Sequence, residues 1–397
     1  MSPPSTPVQL PFLDGLRGLA AFYVLIFHAR WLMWEGFNEG FVQHPDLYSA
    51  PAKLLTYGSL LFYYGHQAVI LFFVLSGFVI HLRYAQQAAQ ETAPFDTRAY
   101  FTRRIKRLYP TLLIALGVGG ALDLFGLANG LPIYAHQTRY ALINDVPFAL
   151  TPDAFLGTLL LLPETPHWGS NLPIWSLKLE WGFYLLYPFI EWVGRRSLRL
   201  TTGIVVGLSA LSFLPFESWG SVAKSIESVC ALMIVWWGGA LLAEVYVGRW
   251  RGRFKLGWIG LLSGLLLIAP FTVEPFLKVN EILRDIFWAI GFIGALAALL
   301  AWRNRGGTLM PLERLKWLGD ISYPLYLLHF PILFLICGFL LRASPTGELP
   351  MTFEWVLIGS GVCLVSAVVC HRVVNTIQPK SGAFVQAILA IRVIKLL

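Results

Sequence analysis

Charge is what this sequence has least of. Only 13% of its 397 residues are Asp, Glu, Lys or Arg, about half the share a soluble domain carries. With 56% hydrophobic residues and a mean hydropathy of +0.64, that scarcity excludes a soluble globular domain and implies a polytopic membrane protein. Cysteine is scarce as well. Cys230, Cys337, Cys363 and Cys370 lie in apolar runs with no CxxC pair, so neither a disulfide framework nor a thiolate zinc site is expected. The histidine spacings resemble no metal site, and no metal is expected. No internal repeat is visible, so the inverted repeats of secondary transporters find no support. The first apolar run holds Arg17, follows a weak basic region and lacks a small-residue cleavage site. It reads as a retained span and not as a cleaved signal peptide.

What the chain does have is ten apolar runs of helical length, at 13–34, 66–84, 108–128, 175–194, 201–217, 225–247, 257–273, 281–302, 318–341 and 354–374. The expected fold is therefore all-α, a polytopic membrane helical bundle of about ten transmembrane helices. Pro324 and Pro331 are expected to break the ninth. Residues 153–163 are apolar but too short to cross, and read as a re-entrant or interfacial helix. With the N-terminus placed in the cytoplasm, 21 of the 30 Lys and Arg fall in inner segments, six in outer ones and three in or beside spans. That bias is what the positive-inside rule demands and puts both termini in the cytoplasm. The net charge of +8 then belongs to topology, and membrane lipids rather than nucleic acid are the expected surroundings. Residues 1–380 read as one membrane domain, and 381–397 as a cytoplasmic amphipathic tail on the inner leaflet.

The first run carries ionisable groups where lipid penalises them. Arg17 and His28 are eleven residues apart, three turns plus about 20°, so they share a helix face about 16 Å apart along the axis. Such groups face a bundle interior or a watery cavity and are functional candidates; the plainer alternative is a snorkelling arginine and a polar packing contact. Ser76 and Gly77, near the inner end of the second run, read as a close-packing point between helices. Arg103, Arg104 and Arg107 form one guanidinium patch on a helix, suited to phosphate or equally to plain topology and anionic lipid. Lys178 and Glu180 are two apart, cannot face each other, and each needs a partner on another element. Around Ser322, Tyr323 and Tyr326, two prolines free carbonyls at membrane depth, which requires packing against protein or a cavity. His329 lies at a depth comparable to His28. The outer segments 35–65 and 129–174 are aromatic-rich, either an interfacial belt or a docking surface for a sugar or polymer.

Taken together and in order, Leu13-Asp14-Gly15-Leu16-Arg17-Gly18-Leu19-Ala20 with His28, Phe73-Val74-Leu75-Ser76-Gly77-Phe78, Arg104-Ile105-Lys106-Arg107 before Tyr109-Pro110, Trp175-Ser176-Leu177 with Glu180 before Phe183-Tyr184, and Ser322-Tyr323-Pro324-Leu325-Tyr326-Leu327 with His329 resemble the integral-membrane acyltransferase family 3, from about residue 11 to 375. The resemblance implies ten spans, an acyl-CoA donor on the cytoplasmic side, acetyl-CoA first among such donors, and O-acylation of an extracytoplasmic glycan or lipid-linked sugar of the cell envelope, such as a polysaccharide or lipopolysaccharide. It implies a bacterial inner (plasma) membrane. Two departures stand out. The chain reads Arg372-Val373-Val374-Asn375-Thr376-Ile377-Gln378-Pro379 where many relatives end the last span with Glu before Pro, and Trp181 stands where many have a second acid. The stand-alone form, without the esterase-like domain fused in some relatives, is expected.

On this resemblance Arg104, Arg107 and Arg103 hold the CoA phosphates, and Arg17 guides the pantetheine arm or polarises the thioester. His28 is the general base toward the acceptor hydroxyl. Glu180 or Asp14 orients it, His329 is the competing base, and a covalent acyl-histidine remains open. Ser76, Gly77, Ser322, Tyr323 and Tyr326 line or shape the interior. The rival from another class is a lipid or sugar transporter or flippase using the same polar interior. Saturable stabilisation by acyl-CoA discriminates between them.

Overall fold

The structure is a computed structural model that describes residues 10–90, 94–213, 220–249, 262–267 and 280–377. Among the described residues nine longer helices carry the architecture: α1 Pro11–Met33, α2 Gly65–Ala89, α3 Thr97–Ala128, α4 Ile174–Gly194, α5 Leu198–Leu211, α6 Gly220–Tyr246, α7 Glu281–Asn304, α8 Ser322–Ala343 and α9 Glu354–Ile377. Among the described residues there is no strand, only an isolated bridge between Ala149 and Gly169. Among the described residues seven helical segments are long and apolar enough to cross a membrane, namely those ending in α1, α2, α3, α6, α7, α8 and α9. The chain is thus an all-helical, multi-pass membrane protein. α4 has the length, 21 residues, but its three charges, Lys178, Glu180 and Glu191, set it apart from the seven. α5 is 14 residues long. Of the expected span 257–273 only 262–267 are described, as helix, and the expected tail 381–397 lies outside the described residues.

Helix boundaries follow local chemistry. The Asp96 carboxylate accepts from the Ala99 amide at 2.9 Å to start α3, Ser197 Oγ from Leu200 at 3.2 Å to start α5, and Asn280 Oδ1 from Ile282 at 2.9 Å to start α7. α3 begins eleven residues before the expected 108, so Arg103, Arg104 and Arg107 lie within it. The expected ninth span is broken once, at Ile321, between a short helix Lys316–Asp320 and α8, so that Pro324 falls in the first turn of α8, where no intrahelical N–H is needed. The second expected break is corrected: Pro331 is interior, and α8 runs through it to Ala343. Residues 153–163 give a helix of eight residues, Pro152–Leu159, too short to cross.

The chain forms two compact units that interleave in sequence. The first takes the start of α1 up to Ala20, α2, α4 from Leu179, and α5 to α7. There α2 and α6 touch backbone to backbone: a Cβ on Gly77 would lie 1.9 Å from Trp236 O, and one on Gly239 2.0 Å from Val74 O. At Gly77 the two helices approach too closely to admit a side chain. In the same unit a Cβ on Gly18 would lie 2.6 Å from Gly319 N. A buried charge chain closes α2, α4 and α6 together. His81 reaches Tyr187 Oη at 2.8 Å and Glu244 Oε1 at 2.7 Å, Arg195 holds Glu191 at 2.9 Å, and Arg249 holds Glu244 at 2.8 Å.

The second unit takes α1 from Ala21, the segment up to Gly65, α3, the segment from there to Lys178, α8 and α9. The Asp123 carboxylate on α3 anchors the loop that follows this helix. It accepts from Ser170 N and Ser170 Oγ at 2.8 Å each and from Tyr134 Oη at 3.1 Å, which fixes the loop before α4. Gly169 makes this approach possible: its φ is +67°, and a Cβ there would lie 2.1 Å from Asp123 Oδ2.

Candidate active site

His28 and His329 meet inside the second unit. His329 Nε2 lies 3.0 Å from His28 Nδ1, and both rings are buried. Their tautomers follow from the neighbours. His329 Nδ1 faces two carbonyls, Tyr326 O at 2.8 Å and Leu325 O at 3.1 Å. Carbonyls only accept, so Nδ1 carries the proton and Nε2 of the neutral ring carries the lone pair. His28 Nδ1 faces Val24 O at 3.0 Å and that lone pair, so it too is protonated. The basic nitrogen of the pair is therefore His28 Nε2. His28 keeps 9% of its surface accessible, His329 only 1%. Of the two, His28 is the more accessible ring, and His329 is sealed behind it. Phe27 and Phe330 pack on His28 with centroids 5.0 and 5.1 Å away, restricting its rotation.

Pro331 shapes the same turn. Its missing N–H frees the Leu327 carbonyl, and Asn171 Nδ2 takes that carbonyl at 2.9 Å. Tyr326 Oη donates to Pro173 O at 3.1 Å and lies 2.7 Å from Ser176 Oγ. Tyr323 Oη donates to Leu108 O at 3.1 Å, and Ser322 is buried. So Ser176, Tyr323 and Tyr326 pin the helix that carries His329. Asn171 is missed by reading motifs. The signal for it was present: a proline inside a membrane helix demands a donor for the carbonyl four residues back.

The remaining candidates have these partners. Glu180 Oε1 accepts from Ser76 Oγ and Tyr184 Oη at 2.5 Å each, and Trp236 Nε1 lies 3.3 Å from Ser76 Oγ. The carboxylate is met by hydroxyl donors, not by a cation. Arg17 donates to Gly319 O at 3.1 Å and pairs with Asp14 at 3.2 Å, one turn away on α1. Asp14 stands fourteen residues from His28 on that helix, about 21 Å along its axis, and its structural partner is Arg17. Lys178 is buried and its ammonium is met by Thr165 O at 2.9 Å, Thr165 Oγ1 at 2.8 Å and Pro166 O at 3.2 Å. It too is partnered from another element, as the sequence requires. On α3, Arg103 and Arg104 are half-buried and Arg107 is exposed. Arg104 lies over the Tyr100 ring at 5.6 Å. Among the described residues no cluster of three or more His, Cys, Asp or Glu could hold a metal ion.

By class, then, the chain is a helical membrane protein with a hydrogen-bonded imidazole pair buried between two of its helices. Comparison with known proteins gives the class a family. Residues 10–372 match the acyltransferase domain family, so the chain belongs to it and is an acyltransferase. It is 26% identical over 360 residues to acyltransferase MdmB of Streptomyces mycarofaciens, covering 83% of this chain and 80% of that one. It is 24% identical over 399 residues to the peptidoglycan O-acetyltransferase OatA of Listeria monocytogenes, covering 94% of this chain and 56% of that one. The chain thus spans little more than half the length of the second relative. No solved structure matches it significantly.

Proposed function

We propose that this protein moves an acyl group, acetyl in the first instance, from cytoplasmic acyl-CoA to a hydroxyl of an extracytoplasmic glycan or lipid-linked sugar. The observation that carries the reading is the His28–His329 pair, because its hydrogen bonds leave His28 Nε2 as the one basic nitrogen. In the reaction the acceptor hydroxyl gives its proton to His28 Nε2 as its oxygen attacks the thioester carbon. The carbon–sulfur bond breaks, and the CoA thiolate leaves and takes that proton from the His28 imidazolium, which returns to its neutral form. His329 Nε2, hydrogen-bonded to His28 Nδ1–H, holds the ring and stabilises the imidazolium while it exists.

Arg103, Arg104 and Arg107 on α3 are assigned to the CoA phosphates, where planar guanidinium groups suit the geometry. Arg17, eleven residues before His28 on one unbroken helix, is assigned to the pantetheine arm or thioester. Glu180, held by Ser76 and Tyr184, is assigned to the polar interior. The topology proposed is ten spans with both termini cytoplasmic, in a bacterial inner membrane, with residues 1–380 acting as one domain.

Detergent-purified protein tests this with acetyl-CoA and a soluble disaccharide of N-acetylglucosamine and N-acetylmuramic acid, chosen because the Listeria relative is named for peptidoglycan. Acetyl-CoA is expected to raise the melting temperature saturably, and acetyl is expected to appear on the sugar. His28→Ala should lower kcat by about 10²–10⁴-fold; wild-type activity in that variant removes His28 from the chemistry. Arg104→Ala should raise the KM for acetyl-CoA and leave that of the sugar alone.

A further inference from the structure

Seven residues beyond His28, on the side away from Arg17, the chain buries a carboxylate that the reaction above does not use. Glu35 is 7% exposed. Its Oε1 accepts from Tyr140 Oη and from the Leu349 amide at 3.1 Å, and its own amide donates to Pro350 O at 3.1 Å. Two segments, at Tyr140 and at Leu349–Pro350, therefore fix the group. Its Oε2 is buried with no partner among the described residues. Tyr48 Oη shares that condition on a residue that is 6% exposed. Burial first, then the negative charge of Glu35, push the Tyr48 phenol up. It is therefore protonated, a donor close enough to feel the carboxylate. Gly40 packs against both side chains: a Cβ there would lie 2.2 Å from Tyr48 Oη and 3.0 Å from Glu35 Cβ.

A buried carboxylate oxygen without a donor is costly, as is a buried phenol without an acceptor. The pair defines what could satisfy both. Glu35 Oε2 only accepts, so the ligand must donate; Tyr48 Oη donates, so the same ligand must accept. A hydroxyl does both. An ammonium group cannot accept, and a carboxylate or phosphate would be repelled by Glu35. The surroundings are aromatic: Phe41 meets Tyr48 at 5.5 Å and Tyr57 at 5.4 Å, and Phe37 meets Tyr57 at 5.8 Å. Such rings suit the carbon face of a pyranose. We propose that Glu35 and Tyr48 are the acceptor-binding residues, taking a ring hydroxyl of the sugar, its proton to Glu35 Oε2 and its oxygen to Tyr48 Oη. Gly40, in the short π-helical segment Gly36–Val42, packs against Tyr48 Oη and Glu35 Cβ, and Gly36, at φ +74°, turns the chain into that segment. The sugar reaches Glu35 Oε2 and Tyr48 Oη by displacing that segment.

This rests on the acyl-transfer reading, and the test separates the two. Acetyl transfer from acetyl-CoA to the same disaccharide is measured on the purified full chain with donor and acceptor varied in turn, beside melting temperatures. Tyr48→Phe removes one atom that makes no protein hydrogen bond. It should raise the acceptor KM roughly tenfold, leave the acetyl-CoA KM unchanged, and leave the melting temperature at or above that of wild type. Glu35→Gln should raise the acceptor KM at least as much. An active wild type whose acceptor KM is unmoved by Tyr48→Phe overturns the proposal. So does Glu35→Gln lowering only stability, which would make Glu35 a latch between segments. A wild type that transfers no acetyl overturns the acyl-transfer reading, and this proposal with it.

Discussion

His28 carries two nitrogens in different situations. Nδ1 is taken by Val24 O and His329, so any chemistry on this ring belongs to Nε2. His329→Gln puts this to a test, since the amide can no longer share an imidazolium charge. It is expected to lower kcat by about 10-fold or more through the relay, with the acetyl-CoA KM unchanged; an unaltered kcat makes the pair a packing contact. A second imidazole bears on stability. His167, in the loop before α4, is pushed down to about 4, by burial first and by the Lys178 ammonium second. An unfolded histidine titrates near 6.5. Between about pH 4 and 6.5 the unfolded chain binds a proton that the folded chain refuses, so stability falls as pH falls through that window and is fully present above it. His167→Gln is expected to flatten the fall of melting temperature between pH 6.5 and 4, and an unchanged slope would assign it to other groups. Sequence alone placed His28 and His329 at similar depth but as rivals. Which ring is left with the basic nitrogen depends on carbonyl positions, which no motif encodes.

Among the elements, α8 is where a local sequence feature and a distant residue depend on each other. Pro331 releases the Leu327 carbonyl, and Asn171, 156 residues earlier, satisfies it. Asn171→Leu is expected to cost about 1–3 kcal/mol, the penalty of an unpaired buried acceptor. Pro331→Ala in the same chain restores an N–H four residues on and should recover much of that loss. A double variant no more stable than Asn171→Leu would show that the carbonyl was never the cause. α2 and α6 follow the other rule of membrane packing. A side chain on Gly77 would press on the Trp236 backbone, which cannot swing aside as a side chain can. Helix existence was legible from apolar run length, and α1, α4, α7 and α9 begin within two residues of expectation. The passage of α8 through Pro331 was not, because the carbonyl that this proline frees is satisfied from another element.

For the whole molecule, the proposed topology makes a labelling prediction. The native cysteines Cys230, Cys337, Cys363 and Cys370 are all buried and give little background. A membrane-impermeant thiol reagent added outside intact cells should label Asn38→Cys and not Gln90→Cys, both at exposed positions; the reverse pattern would invert the orientation. The sequence by itself determined the all-helical, multi-pass class and the family. These rest on composition, on apolar run length and on the order of short motifs, all of which act along the chain. The tertiary structure alone decided which polar group answers which: His329 for His28, Ser76 and Tyr184 for Glu180, Thr165 and Pro166 for Lys178, Asn171 for the carbonyl Pro331 frees. The reason is physical. A buried polar atom must be satisfied by whatever donor or acceptor packing brings to it, and in a helical protein that partner usually sits on another element, at a sequence distance no periodicity records.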